Sequence, residues 1–362
     1  MSVDAVRNNP SAQQADRLID DGPLLLRGPG LRPEVMRDFR MHIGSPFAAL
    51  FPGAAFDEVA LVPVAAAVDA TGRFAENFTD RGIRSGLSGV GVILGNPAQR
   101  ADAANWLKHM HREVHGEGVG DYQGVRYSAL TPELWIWIAM SGVRLVMSTF
   151  PLCTGHRPTP AENEAMYQYL RHLNSNLELP SAAGKLPANW AEFERRYDDF
   201  ARSKLRPNRF MRENYANLSK LPLPTLLLPR AVRVLITPLW LLIRGISGHF
   251  TKVCSTSAMH PAVADASGYR LTWRHHLEFR AITGVLGILW RVLPARLRTD
   301  PFTYERLQLE EMELQDRMGP EYWRRRDRLE KRVESVIKFG ARYQLESFAV
   351  PASRRGGCPV AK

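Results

Sequence analysis

Cysteine is scarce in this chain. Three thiols in 362 residues, Cys153, Cys254 and Cys358, are too few and too scattered for a disulfide framework or a Cys-based zinc site. They leave the redox compartment undecided. Met1–Asp21 is polar and acidic and offers no basic start followed by an apolar stretch, so no secretory or twin-arginine signal is expected and a cytoplasmic location is. Long apolar runs are also missing. Leu221–Ile243 is interrupted by Pro222, Pro224, Pro229, Arg230, Arg233 and Pro238, and its longest uncharged run, Val234–Ile243, is ten residues. That is about 15 Å of helix against the roughly 20 residues a membrane span needs. Ala281–Trp290 is just as short. No transmembrane helix is expected; both runs suit a core or a membrane surface.

Acidic residues are short in one half only. Residues 201–362 hold 29 Lys+Arg against 14 Asp+Glu, whereas residues 1–200 hold 19 against 23. A basic half beside an acidic one implies an anionic partner for the former. Nothing resembles a zinc finger, an RRM or a helix-turn-helix, which argues against nucleic acid. The basic half also carries the most apolar segments, so an anionic membrane surface, met peripherally, fits better.

What is present is helical. With 45% apolar residues the chain can bury a large core, and neither βαβ alternation nor an internal repeat is visible. The pattern predicts helices over Val59–Phe78, Arg84–Leu94, Pro97 to Gly116, Pro132–Phe150, Pro160–Leu177, Trp190–Lys204, Trp273–Leu293 and Thr303–Gly340, the last broken at Gly319-Pro320. Asn96-Pro97 and Thr131-Pro132 are the cap-plus-proline pairs that open helices. Pro132–Phe150 is apolar on nearly every face and belongs at the centre. The expected fold class is all-α, a single large helical domain. It divides into an irregular lead-in (1–50), a helical core (51–300), a charged C-terminal helix (301–345) and a flexible tail (346–362).

Several enzyme classes are excluded. Gly89-x-Gly91-x-x-x-Gly95 has the wrong spacing and no preceding strand for a dinucleotide loop, and better suits close helix packing. There is no G-x-S-x-G, and Cys153 lacks the glycine and basic residue that precede a haem thiolate.

The stretch Asn105 to Gly116 is the most informative. Ala104, Leu107, His111 and Val114 step by three, four and three, so His111 falls in the apolar seam and His109 on the wet face. A buried imidazole needs a partner for its nitrogens. Three readings are open: a core histidine bonded to a carbonyl, an axial ligand to haem iron, and a His111/His115 zinc pair at i, i+4 spacing. H-E-x-x-H is absent, which counts against the last.

Val62-Pro63-Val64-Ala65 through Asp80-Arg81-Gly82-Ile83-Arg84-Ser85 resembles the hP-x-V-a…R-x-x-x-T segment of the MpaB/latex-clearing-protein (rubber oxygenase) family. His111-Arg112-Glu113-Val114-His115-Gly116 is similar to its H-x-x-V-x-G, and Tyr127 to Trp137-Ile138 to its Y-x-A-x-(D)P-E-l…W-V. Pro187-Ala188…Phe193 and Leu293-Pro294-Ala295-Arg296-Leu297-Arg298 match later features, so the likeness covers roughly residues 45–300. The resemblance implies a globin-like core holding haem b, with O₂ and an apolar, isoprenoid- or lipid-like molecule as substrates. It implies His111 as proximal iron ligand and Arg81 and Ser85 as the catalytic pair beside the haem. Taken from the residues themselves, Arg81 and Arg84 lie one turn apart, so one of them could serve a haem propionate and the other line the distal side; a surface ion pair is the other reading of either, and the favoured one for Arg84. Two positions depart from the pattern: Ser85 stands where the family has Thr, and Ala139 where a histidine often follows W-V. The alternative is a non-catalytic lipid-binding or membrane-surface protein on the same scaffold.

Overall fold

The computed structural model describes residues 22–70, 78–225 and 228–348; of Phe78, Arg81, Arg84, Ser88, Val90 and residues 341–348 it describes the backbone only. Helices dominate. The first, α1 (Pro33–Ile43), starts on a proline at its first position and buries Val35, Met36 and Phe39, inside the segment expected to be irregular. A short helix α2 (Asp57–Ala60) is separated from α3 (Val62–Ala70) by Leu61 in an extended conformation, ψ 110°. The single helix expected from Val59 is therefore interrupted, and residues 71–77 lie outside the described residues.

Next come α4 (Phe78–Leu94) and α5 (Pro97–His111), joined through Gly95 and Asn96. Asn96 and Gln99 form a reciprocal capping box, with Pro97 at the first helical position, so two orphan amides are satisfied where the chain reverses. The reversal leaves no room for side chains. A Cβ on Gly95 would meet that of Gln99 at 3.0 Å, and one on Gly91 that of Ala103 at 2.8 Å. Contrary to expectation, α5 stops at His111. His115 lies on strand β1 (His115–Glu117), paired antiparallel with β2 (Arg126–Ser128), His115 opposite Ser128.

Helix α6 (Pro132–Thr154) ends at Gly155 in the left-handed conformation, φ 73°, which favours glycine. As its composition requires, it is the central element. Trp137 and Phe150 are fully buried; Trp137 stacks on Phe200 at 4.3 Å, and Phe150 meets Phe39 edge-on at 5.3 Å. Around it lie α7 (Pro160–Asn174), α8 (Trp190–Lys204) and α9 (Arg209–Ala216).

The Pro-interrupted apolar segment forms one 29-residue helix, α10 (Arg230–Ala258), with Pro238 inside it. Four helices follow: α11 (Pro261–Ser267), α12 (Trp273–Val292), the single turn α13 (Ala295–Arg298) and α14 (Pro301–Leu314). The last, α15 (Pro320–Phe348), is separated from α14 at Gly319-Pro320. Leu309, Tyr322, Leu329 and Val333 form a second apolar cluster with Leu94. This seats the charged C-terminal pair on α4. Arg306 ties the same junction: buried, it donates to the carbonyls of Leu94 and Gly95 and pairs with Glu310 at 2.6 Å.

Candidate functional site at the α4–α5 hairpin

His111 is the last residue of α5 and is half-buried. Its Nδ1 lies 2.8 Å from the carbonyl oxygen of Leu107. A carbonyl only accepts, so Nδ1 carries the proton and donates, and the coordinating lone pair sits on Nε2. This is how metal-ligating histidines are commonly held, the other ring nitrogen donating to a carbonyl. Trp135 meets the ring edge-to-face at 5.4 Å and is itself anchored by its indole N–H to the Leu177 carbonyl, 2.6 Å away. One turn before His111, Lys108 donates to the carbonyls of Asn176 and Glu178 at 2.7 and 2.9 Å. Burial lowers its pKa. The end of α5 and the start of α6 are thus fastened to one segment, residues 176–178, and the imidazole is held between them.

The second motif lies on the other helix of the hairpin. Gly91 approaches Ala103 and Gly95 approaches Gln99, so α4 and α5 pack closely at their junction, and Arg81 and Ser85 lie further along α4. Ser85 is exposed. The side chains of Arg81 and Arg84 lie outside the described residues, so the roles expected of them rest on their place in α4. A Cβ on Gly82 or Gly86, one turn apart, would meet nothing within 4 Å among the described residues. The start of α4 is held from outside as well. Thr79 donates to the Pro222 carbonyl at 2.7 Å, and Thr225 N–H donates to Asp80 at 2.8 Å.

These features suit a haem. An imidazole whose Nδ1 donates to Leu107, with an aromatic edge against it, offers Nε2 as the kind of donor a haem iron takes. Two grooves, of about 420 and 500 Å³, lie elsewhere: one along α8 beside Glu133, Arg195 and Lys204, the other among Arg324, Arg328 and Arg332 of α15. Neither is lined by His111 or Ser85. The His111/His115 zinc pair is excluded, since His115 has left the helix and points to solvent from β1.

Two polar clusters were not legible beforehand. Asp57 is buried, accepting hydrogen bonds from Ser141 and, at 2.5 Å, from Tyr197; burial pushes its carboxyl up to about 6. The second joins α10 to α12: His249, His275 and Glu278 place one ligand atom each within 4.8 Å of one another. Glu278 is 2.8 Å from His249 Nε2, and the Thr272 amide donates to His275 Nδ1. The donor set can hold a metal, but the backbone bond to His275 makes it foremost a polar clasp between helices. His275-x-x-Glu278 was its only local signal; His249 comes from a different helix.

A family model described as ER-bound oxygenase mpaB/B'/rubber oxygenase, catalytic domain, matches residues 37–288. No curated protein and no solved structure matches the chain. The matched span runs from within α1 to within α12 and contains the whole α4–α5 hairpin, His111 and α6. The chain therefore belongs to the mpaB/rubber-oxygenase catalytic-domain family, a family of oxygenases.

Proposed function

We propose that this protein is a haem b-dependent oxygenase that uses O₂ on an apolar substrate of isoprenoid or lipid type. The observation that carries the reading is the Leu107-held imidazole of His111 in a chain of this family. His111 would hold the iron through Nε2. Arg84 would neutralise a propionate, because a carboxylate taken out of water needs a cationic partner. Haem, when bound, supplies the oxygen chemistry; the protein supplies orientation and a dry setting.

The chain's own residues account for that setting. Trp135 and the apolar body of α6 keep water from one side of the imidazole. Ser85, which is exposed, would offer a hydroxyl and Arg81 a positive charge to the reacting groups. Peripheral association with an anionic membrane belongs to the same reading, since an apolar substrate partitions into lipid.

A visible spectrum tests it. Protein expressed with ample haem supply should show a Soret band and about one iron per chain. His111→Ala should lose both while keeping its helical circular dichroism. A colourless, iron-free wild-type protein ends the oxygenase reading and leaves a lipid-binding scaffold.

A further inference from the structure

An apolar helix surrounded by protein is ordinary; α10 is apolar and largely bare. Its most apolar window is long enough to cross a membrane, yet only 6% of that window is buried. Val232, Leu235, Leu239, Leu242, Ile246 and Phe250 step by three or four and form one exposed stripe, with Leu235 80% and Leu242 71% exposed. The opposite face carries Arg233, Thr237, Trp240 and Arg244, all half-buried. Trp240 is fastened by its indole N–H to the Leu221 carbonyl. The adjoining helix α12, joined at the His249–Glu278 bond, exposes a second stripe: Trp273, Leu277, Val285, Ile288 and Val292. So much exposed apolar surface on one pair of helices marks an interaction site.

The charge around it says what covers it. Between residues 229 and 298 there are ten Lys+Arg and two Asp+Glu; Arg230, Arg270, Arg274, Arg280, Arg291 and Arg296 are exposed. Leucine stripes edged by arginine complement a surface that is greasy within and anionic at its rim. We propose that α10, with α12 beside it, is a monotopic docking face that lies in the plane of an anionic phospholipid bilayer, its leucines among the acyl chains.

The helix lies along the membrane and does not cross it, for three reasons. Its last turns are part of the body: Gly248, Thr251, Val253, Cys254, Ser255 and Thr256 are buried, and a Cβ on Gly248 would sit 2.3 Å from Ser219 Cα. A crossing would carry Arg233 and Arg244 into hydrocarbon. Pro238 cannot donate to the Val234 carbonyl, a gap that headgroup water fills and a bilayer core does not. The segment leading into α10 also grips the start of α4 through Pro222 and Thr225. Docking would therefore set the Arg81–Ser85 turn close to the lipid that holds an apolar substrate; this last point alone rests on the oxygenase reading.

Flotation of the full-length protein with phosphatidylcholine vesicles, with or without roughly a third phosphatidylserine, tests the docking. Binding should require the anionic lipid, weaken at least about tenfold from low to high salt as screening shortens, and be reversed by alkaline carbonate. Leu239→Glu/Leu242→Glu should abolish it with unchanged circular dichroism. If that variant misfolds, hydrogen exchange of residues 232–246 in the wild-type protein decides, with protection expected on anionic vesicles only. Four results overturn the proposal: no binding by wild type, resistance to carbonate (a spanning helix), variant binding equal to wild type, or exchange unaffected by vesicles. A lipid-independent wild-type dimer that the variant dissolves would assign the face to a second copy of the chain. None of these readouts involves haem, so docking and the oxygenase reading fail separately.

Discussion

Asp57 and His42 are buried titrating groups whose pKa values are displaced in ways that oppose each other, and this makes a sharp prediction about stability. Asp57 carries a carboxyl raised from 3.8 to about 6 because burial penalises its charge more than the hydroxyls of Ser141 and Tyr197 relieve it. Between those two pH values the folded chain holds a proton that the unfolded chain has lost. Stability therefore falls as pH rises through the window, and above about pH 6 the full penalty stands. The rise from 3.8 to about 6 corresponds to about 3 kcal/mol. His42 runs the other way. It is buried, one ring nitrogen lies 3.1 Å from Thr149 Oγ1, and burial lowers its pKa from 6.5 to about 4. The unfolded chain then binds the extra proton, so a similar amount of stability is lost as pH falls from 6.5 to 4.

The two contributions offset one another between about pH 4 and 6 in the wild-type protein, and single substitutions separate them. Asp57→Asn keeps the shape of the side chain and removes the titration. Its stability relative to wild type should rise by about 3 kcal/mol between pH 4 and pH 7, whatever constant offset the altered hydrogen bonds introduce. His42→Gln should show the mirror image, gaining on wild type as pH falls. The assay is urea unfolding followed by circular dichroism at pH 4, 5, 6 and 7, with equal m-values across the set. A stability difference between Asp57→Asn and wild type that does not vary with pH would refute the argument, because it would mean that the carboxyl titrates alike in both states.

Three other outcomes are expected. Trp135→Ala should keep the fold but loosen the imidazole it braces, so haem should dissociate measurably faster to an apo-myoglobin acceptor; an unchanged rate removes Trp135 from the site. Gly248→Val places branched carbon against the backbone of Leu218 and Ser219, which cannot give way. Thermal unfolding should show a loss of at least about 2 kcal/mol, and a neutral result would mean that this close approach is not kept in solution. Arg306→Leu strips the Leu94 and Gly95 carbonyls of their donor and leaves Glu310 with Arg40 alone. A loss of about 3–5 kcal/mol follows for a broken buried pair, read by urea unfolding and absent if the pair is solvated.

How much of this was legible in the sequence depends on how local each cause is. Asn96-Pro97 opened α5 as its cap chemistry requires, and Trp190–Lys204 was located to the residue because a cap, an amphipathic stripe and a break coincide there. The end of α5 was misplaced by five residues. Gly116 reads as a helix terminator, but the chain leaves the helix at His111 to pair His115 with Ser128, and a three-residue ladder has no periodicity to read. Pro238 was taken as an interruption because proline costs about 3 kcal/mol inside a helix; α10 absorbs it at an exposed position where the freed carbonyl meets solvent. Pro33 signalled a helix start that the surrounding glycines and prolines obscured. Asp57, Ser141 and Tyr197 come from α2, α6 and α8, and no window along the chain contains them together.

The end of α5 also bears on the residue proposed to hold iron. His111 is the last residue of the helix, and its Nδ1 reaches back one turn to the Leu107 carbonyl, an oxygen with a second lone pair beyond the one that faces the helix ladder. The chain then leaves the helix to pair His115 with Ser128, so residues 114 and 115 do not stack over the ring as the i+3 and i+4 neighbours of a longer helix would; Trp135 meets the ring instead. On the oxygenase reading, variants that prolong α5, such as Gly116→Ala with Gly118→Ala, should weaken haem retention by crowding that ring, and retention equal to wild type would show that the helix end does not govern the ligand.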